Sequence, residues 1–199
     1  LATIDDKTPT AAEEIWDGLD GLTVGGLVGA AGNSGVFNYI QSYAGVKLNA
    51  AFRKGGAGSR ADGATEGSAS HSGSAWDFAL TGSGDDYGAP GLLWGTGYGE
   101  SDAGEATSTN GDNEHMTVFA NYSYGPATFG VQLSDIKQGS TAGVDEEVEQ
   151  WGIAFNVNEN LSISYGEREV EYQNPSAANV MEEGEGIAVA YTMGSIKIA

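Results

Sequence analysis

The stretch MTVFANYSYGPATFGVQLSDI, residues 116–136, decides the fold. In an extended chain Met116, Val118, Ala120, Tyr122 and Tyr124 fall on one face, with Thr117, Asn121 and Ser123 on the other and Phe119 as the exception. After Gly125-Pro126 the apolar residues resume at Ala127, Phe129, Val131 and Leu133, against Thr128, Gly130, Gln132 and Ser134. Successive strand residues point to opposite faces, so this is period-2 alternation on two strands joined by a tight turn. Each strand has roughly the nine to eleven residues that cross a bilayer at a steep tilt.

The pattern recurs. Trp151, Ile153, Phe155 and Val157 alternate with Gly152, Ala154 and Asn156, turn at Asn158-Glu159-Asn160, and continue as Leu161, Ile163 and Tyr165 against Ser162, Ser164 and Gly166. A third hairpin carries Ile187, Val189, Tyr191 and Met193, turns at Gly194-Ser195 and resumes at Ile196 and Ile198. Earlier in the chain Val46, Leu48, Ala50 and Phe52 oppose Lys47, Asn49, Ala51 and Arg53, and Trp76, Phe78 and Leu80 oppose Asp77, Ala79 and Thr81.

Composition fits many strands joined by polar loops: 32 Gly in 199 residues, abundant Ser, Thr, Asn and Asp, and few Leu. The absence of Cys excludes disulfide frameworks and Cys-type zinc sites. With 28 Asp+Glu against 8 Lys+Arg and a net charge of -20, the chain is a poor match for nucleic acid, whose phosphates require clustered Lys and Arg. No run approaches the ~18 apolar residues of a transmembrane helix, but only every second residue of a membrane strand meets lipid, so a barrel stays open.

Connections alternate in length. Those at 44–45, 125–126, 158–160 and 194–195 are tight, with 82–91 intermediate and grouped with them; those at 54–73, 99–114, 137–147 and 166–184 are long, polar and mostly acidic. Outer-membrane barrels have short periplasmic turns and long external loops, so this alternation assigns sidedness and places negative charge outside. Residues 1–35 stand apart. Thr8-Pro9-Thr10 followed by Glu13 predicts a short helix over 11–16, stopped near Gly18, and 19–35 reads as a Gly-rich loop.

The stretch Val36-Phe37-Asn38-Tyr39-Ile40-Gln41-Ser42-Tyr43-Ala44-Gly45-Val46-Lys47-Leu48-Asn49-Ala50-Ala51-Phe52, preceded by Ala31-Gly32-Asn33-Ser34-Gly35, resembles the hairpin after the constricting loop in the alphaproteobacterial, Rhodobacter-type general-diffusion porins. Ala190-Tyr191-Thr192-Met193-Gly194-Ser195 resembles that family's strand-turn-strand near the C-terminus. The resemblance implies an all-β fold, an antiparallel transmembrane meander belonging to a 16-stranded barrel with an inward-folded constriction loop. It implies one domain over 1–199, with 1–35 as that loop and about ten strands over 36–199. The family's first strands and terminal aromatic strand are missing, so a segment of a longer protein with unpaired sheet edges is expected. The bacterial outer membrane, lipid and lipopolysaccharide contacts, a homotrimer and small hydrophilic solutes follow as location and partners.

A porin needs a water-filled lumen and no catalysis. With 1–35 folded inward, Asp5, Asp6, Glu13, Glu14 and Asp17 form an acidic rim, faced from the wall by Lys47 and Arg53. Opposed charges there create a transverse field that orders water and disfavours apolar solutes. Arg168 and Lys197 share lumen parity with Ser164 and Thr192. Tyr122, Tyr124, Trp151, Tyr165 and Tyr191 suit interfacial aromatic girdles. No cofactor is expected. Asn110, Asp112, Asn113 and Glu114 offer oxygen ligands for Ca²⁺, with Asp112 and Glu114 the metal candidates; without an EF-hand register, diffuse cation attraction by the acidic loops is the expectation. His71 and His115 form no HExxH spacing, and an enzyme is not expected. The rival reading is a surface or secreted β-sandwich adhesin, in which the alternating faces are buried between two sheets.

Overall fold

The computed structural model describes residues 36–53, 74–102, 112–139, 143–194 and 196–198, together with Thr8. The expected constriction loop with its acids Asp5, Asp6, Glu13, Glu14 and Asp17, the expected helix over 11–16, the loop over 19–35 and His71 lie outside the described residues.

Ten strands follow one another: β1 (Val36–Tyr43), β2 (Val46–Arg53), β3 (Ala75–Ser83), β4 (Leu92–Asp102), β5 (Asp112–Tyr124), β6 (Ala127–Lys137), β7 (Asp145–Asn156), β8 (Leu161–Gln173), β9 (Val180–Met193) and β10 (Ile196–Ile198). They form a single sheet in chain order, and every neighbouring pair is antiparallel. This is the meander the alternation predicts. The sheet is open: β1 and β10 are its two edges, and no described strand pairs with the outer side of either.

Turn chemistry sets the hairpins. Ala44 and Gly45 have φ of 48° and 77°, the two positive values of a type I′ turn, whose twist matches the flanking strands. At β5–β6 Gly125 has φ 58° while the Pro126 ring holds its own φ negative, the single positive value of a type II′ turn, whose twist also matches the flanking strands. At β7–β8 the Asn158 side-chain oxygen accepts from the backbone N–H of Asn160 (2.8 Å) and Leu161 (3.0 Å), an Asx turn. Between β3 and β4 a single 3-10 turn, Gly84–Tyr87, is capped by Ser83, whose hydroxyl accepts from Asp85 N–H at 3.3 Å. The Tyr87 hydroxyl donates to the Ala44 carbonyl and so ties this connection to the β1–β2 turn.

The strands outrun the sequence reading at the loop end. Residues 166–184 were expected to form a long loop, yet β8 runs to Gln173 and β9 begins at Val180, leaving a connection of 174–179. Likewise β4 reaches Asp102, β5 begins at Asp112, and β7 begins at Asp145. Glu167, Glu169, Glu171, Glu183 and Glu185 therefore stand on ladders instead of in loops.

Phe119, the exception in the first hairpin, has a structural cause. It lies opposite Gly95 of β4, and a Cβ at Gly95 would collide with its ring. Phe119 is 3% exposed and packs with Ala79 on the face opposite Val118. On the other face Trp94 covers Gly82, where a Cβ would come within 2.7 Å of the indole.

Candidate functional site

The two faces of the sheet differ in chemistry. One, here the inner face, carries small and polar side chains that are almost entirely buried: Asn49 at 1%, Thr117 at 1%, and Asp77, Gln132, Gln150, Ser134 and Ser164 also covered. Thr117 anchors a polar cluster; its hydroxyl shares a proton with Ser134 Oγ at 2.8 Å, and Gln132 Nε2 donates to it at 3.2 Å. Such cross-strand polar pairs satisfy one another's hydrogen-bonding groups.

The outer face is apolar and exposed. Phe129, Val131, Leu133, Ile153, Phe155, Ile163 and Val189 are all on it, with Phe129 at 49% and Val189 at 50% exposure. Among the described elements each strand's substantial contacts are with its ladder neighbours, and no second sheet covers these side chains. Exposed patches of this extent mark surfaces that meet another apolar phase.

The band has edges, and the ladder register shows how they run. On the loop side the edge steps by one outward residue at three ladders, where the first acidic residue of a strand stands opposite the last apolar residue of the strand before it: Asp135 opposite Met116, Glu149 opposite Leu133, Glu167 opposite Trp151. At β4–β5 and β8–β9 it runs level, Glu114 opposite Glu100 and Glu185 opposite Glu167. From Glu100 on β4 to Glu185 on β9 this edge moves three outward residues along the strands. That is about 20 Å of drift across about 24 Å of sheet, an inclination of about 40°. On the turn side, from Val46 on β2 to Met193 on β9, the edge moves the same way by four outward residues. There the slope is again about 40°. A band of constant width, oblique to its own strands, results.

Aromatic residues follow both edges. Trp76, Tyr98, Trp151 and Tyr165 descend along the acidic edge, and Tyr43, Trp94, Tyr122, Tyr124 and Tyr191 lie toward the turns. On β7 and β8 the polar tips of Trp151 and Tyr165 point to carboxylates. Trp151 Nε1 donates to Glu167 Oε2 at 2.9 Å, and the Tyr165 hydroxyl lies 2.7 Å from Glu167 Oε1 and 2.6 Å from Glu185 Oε2. The two rings sit 5.5 Å apart. Beyond this edge carboxylates face one another directly, in the row Glu149, Glu169, Glu183 and the pair Glu147, Glu171. Like charges directly opposite one another on adjacent strands are destabilising.

The basic residues chosen from parity are dispersed. Lys47 is exposed on the inner face at the turn end of β2, and Arg53 is half-buried at the loop end of the same strand. Arg168 is 4% exposed on the inner face of β8, so it belongs to a strand and not to an external loop. Lys197 stands opposite Thr192 in the β9–β10 ladder. At the loop end of β7, beyond the apolar band, burial raises the Glu146 carboxyl above its ordinary value and the Arg168 guanidinium opposes that shift.

Asp112 and Glu114 do not converge with Asn113. Alternation puts the two acids on the outer face and Asn113 on the inner, where its Oδ1 accepts from Gly139 N–H at 2.9 Å. Among the described residues no group of three or more His, Asp or Glu is arranged to hold a metal ion. His115 is buried on the inner face of β5, at 3% exposure. The outward carboxylates of β7 to β9 were missed from sequence. Their signal was the inward set Arg168, Val170 and Tyr172, which continues the parity of Ser164.

Compared with known proteins, the chain matches no family model and no curated protein.

Proposed function

We propose that this chain forms the wall of a transmembrane β-barrel and works as an outer-membrane porin, a water-filled channel for passive diffusion of small hydrophilic solutes with mild cation preference. The observation that carries the reading is the oblique exposed apolar band backed by a polar inner face. Strands of outer-membrane barrels tilt by roughly 35–45° to the membrane normal, so a flat apolar slab cuts obliquely across their ladders. The band's slope of about 40° falls in that range, and both its edges share it. Its height agrees too: Met116 to Tyr124 projects to about 21 Å at that tilt, against an apolar belt of about 25 Å in such barrels. A soluble sandwich gives no reason for an apolar face to end along two parallel oblique lines.

The finer features belong to the same proposal: a closed 16-stranded barrel, a homotrimer, contacts with lipid and lipopolysaccharide, and a constriction formed by Asp5, Asp6, Glu13, Glu14 and Asp17. Conductance tests it. The purified full chain, folded in detergent and added to a planar bilayer, is expected to give discrete ohmic steps and to migrate differently on gels before and after heating. A chain that stays soluble without detergent and leaves the bilayer silent would reject it.

A further inference from the structure

At the loop ends of β6, β7 and β8 lies an open cleft of about 410 Å³, lined among the described residues by Gln138, Gly143, Asp145, Gln173, Asn174, Pro175 and Asn179. Its volume lies within the range of roughly 300–1,000 Å³ usual for small-molecule sites. Asp145 and Gln173 are ladder partners at the loop ends of β7 and β8, so rigid strands form the floor. Gln173 lies six residues beyond Glu167, about 15 Å above the edge of the apolar band at a 40° tilt.

Part of the cleft's polar set is engaged within the protein. Asp145 Oδ1 accepts from Gln138 N–H at 2.8 Å, Asn174 Oδ1 accepts from Ser176 N–H at 2.9 Å, and Asn179 Nδ2 donates to Glu171 Oε1 at 2.8 Å. Those bonds fix three of the side chains. The Gln138 and Gln173 amides, Asn174 Nδ2, Asn179 Oδ1 and the second oxygen of Asp145 stand outside those bonds. The described lining residues thus offer three amide donor groups and four acceptor oxygens outside those bonds, with one carboxylate and no cation among them.

Such a set discriminates between ligand classes. A phosphate or carboxylate ligand is held best by Arg or Lys, and neither is among the described residues that line the cleft. An apolar ligand would strand the amides. A hydroxyl both donates and accepts, so several neighbouring hydroxyls can use interleaved amide donors and acceptors at once. We infer that this cleft is a saccharide-binding site, the sugar hydroxyls bonding to Gln138, Gln173, Asn174, Asn179 and Asp145 and a ring face resting on Pro175. The inference goes beyond channel function and needs no conductance. Two sources share the chemistry: a free saccharide at the mouth of a channel, or the sugar of a glycolipid lying against the outer face.

Saturation-transfer NMR and titration calorimetry on the full chain in detergent test it, with maltotriose, N-acetylglucosamine and a lipid-free lipopolysaccharide core oligosaccharide as probes. At least one is expected to bind saturably. The Gln138→Ala/Gln173→Ala double variant is expected to weaken that binding at least tenfold, and Gln173→Glu, which keeps the size, to weaken it as well. Glu183→Gln, outside the cleft, is expected to leave it unchanged. Core oligosaccharide alone binding assigns the glycolipid source, and maltotriose or N-acetylglucosamine binding assigns a free solute. The inference is overturned if no probe saturates, or if a double variant with the wild-type circular dichroism spectrum binds as the wild type does. A silent bilayer with intact saccharide binding would reject the channel and leave the cleft standing.

Discussion

Ala44 occupies left-handed backbone space, at φ 48°, without being glycine. That conformation brings an L side chain close to its own carbonyl and costs about 1–2 kcal/mol. Ala44→Gly is therefore expected to raise unfolding stability by about 1 kcal/mol, read as a higher urea midpoint in micelles with an unchanged slope. Gly95 has the opposite sensitivity. A Cβ there collides with the Phe119 ring, so Gly95→Val should destabilise by about 1–3 kcal/mol. Adding Phe119→Ala should recover part of that loss; a double variant whose cost equals the sum of the two singles would show that the contact is not the cause. Residue identities alone do not contain this pair. Phe119 breaks the alternation visibly, but its glycine partner is set by a cross-strand register that a single strand cannot display.

A strand here has three zones, a turn, an apolar stretch and an acidic end, and substitutions should respect them. Ile153→Lys, in mid-band on β7, is expected to cost about 2–4 kcal/mol in a bilayer, whereas Glu149→Lys, beyond the edge, should cost little or stabilise, since it breaks a row of three carboxylates. Equal costs in vesicle-based unfolding would mean that lipid does not end between the two positions. The facing acids of β7, β8 and β9 should also make the fold salt-sensitive. Raising NaCl from about 0.01 M to 0.5 M shortens the screening length several-fold, so the melting temperature should rise, less so in Glu169→Gln. The apolar zones were legible in the sequence because period 2 is a local signal that needs no partner. The acidic ends were not. In β8 the order Glu167, Arg168, Glu169, Val170, Glu171, Tyr172 keeps the alternation, but acids replace apolar residues on the outward side and so read as loop. Dispersal of Lys47, Arg53 and Arg168 over strands six apart was equally hidden, since parity assigns a face and not a place on it.

For the molecule as a whole, the net charge of -20 should govern ion passage. Negative charge at a low-dielectric mouth concentrates cations, so in a salt gradient the reversal potential is expected to favour K⁺ over Cl⁻, more strongly below about 0.1 M, where the screening length exceeds about 10 Å. Neutralising Glu13, Glu14 and Asp17 together should reduce that preference; an unchanged potential would move selectivity to the acidic strand ends. The meander has another consequence, in time instead of space. Every ladder among the described strands joins strands adjacent in the chain, so each of these pairings closes only the connection between its own two strands and pays little chain entropy before native contacts form. Assembly can proceed by zipping, each completed hairpin templating the next. Slow steps in folding should then come from delivery of the wall into lipid and not from the search for partners, so that the observed rate depends on bilayer thickness far more than on the length of the connection between any two strands.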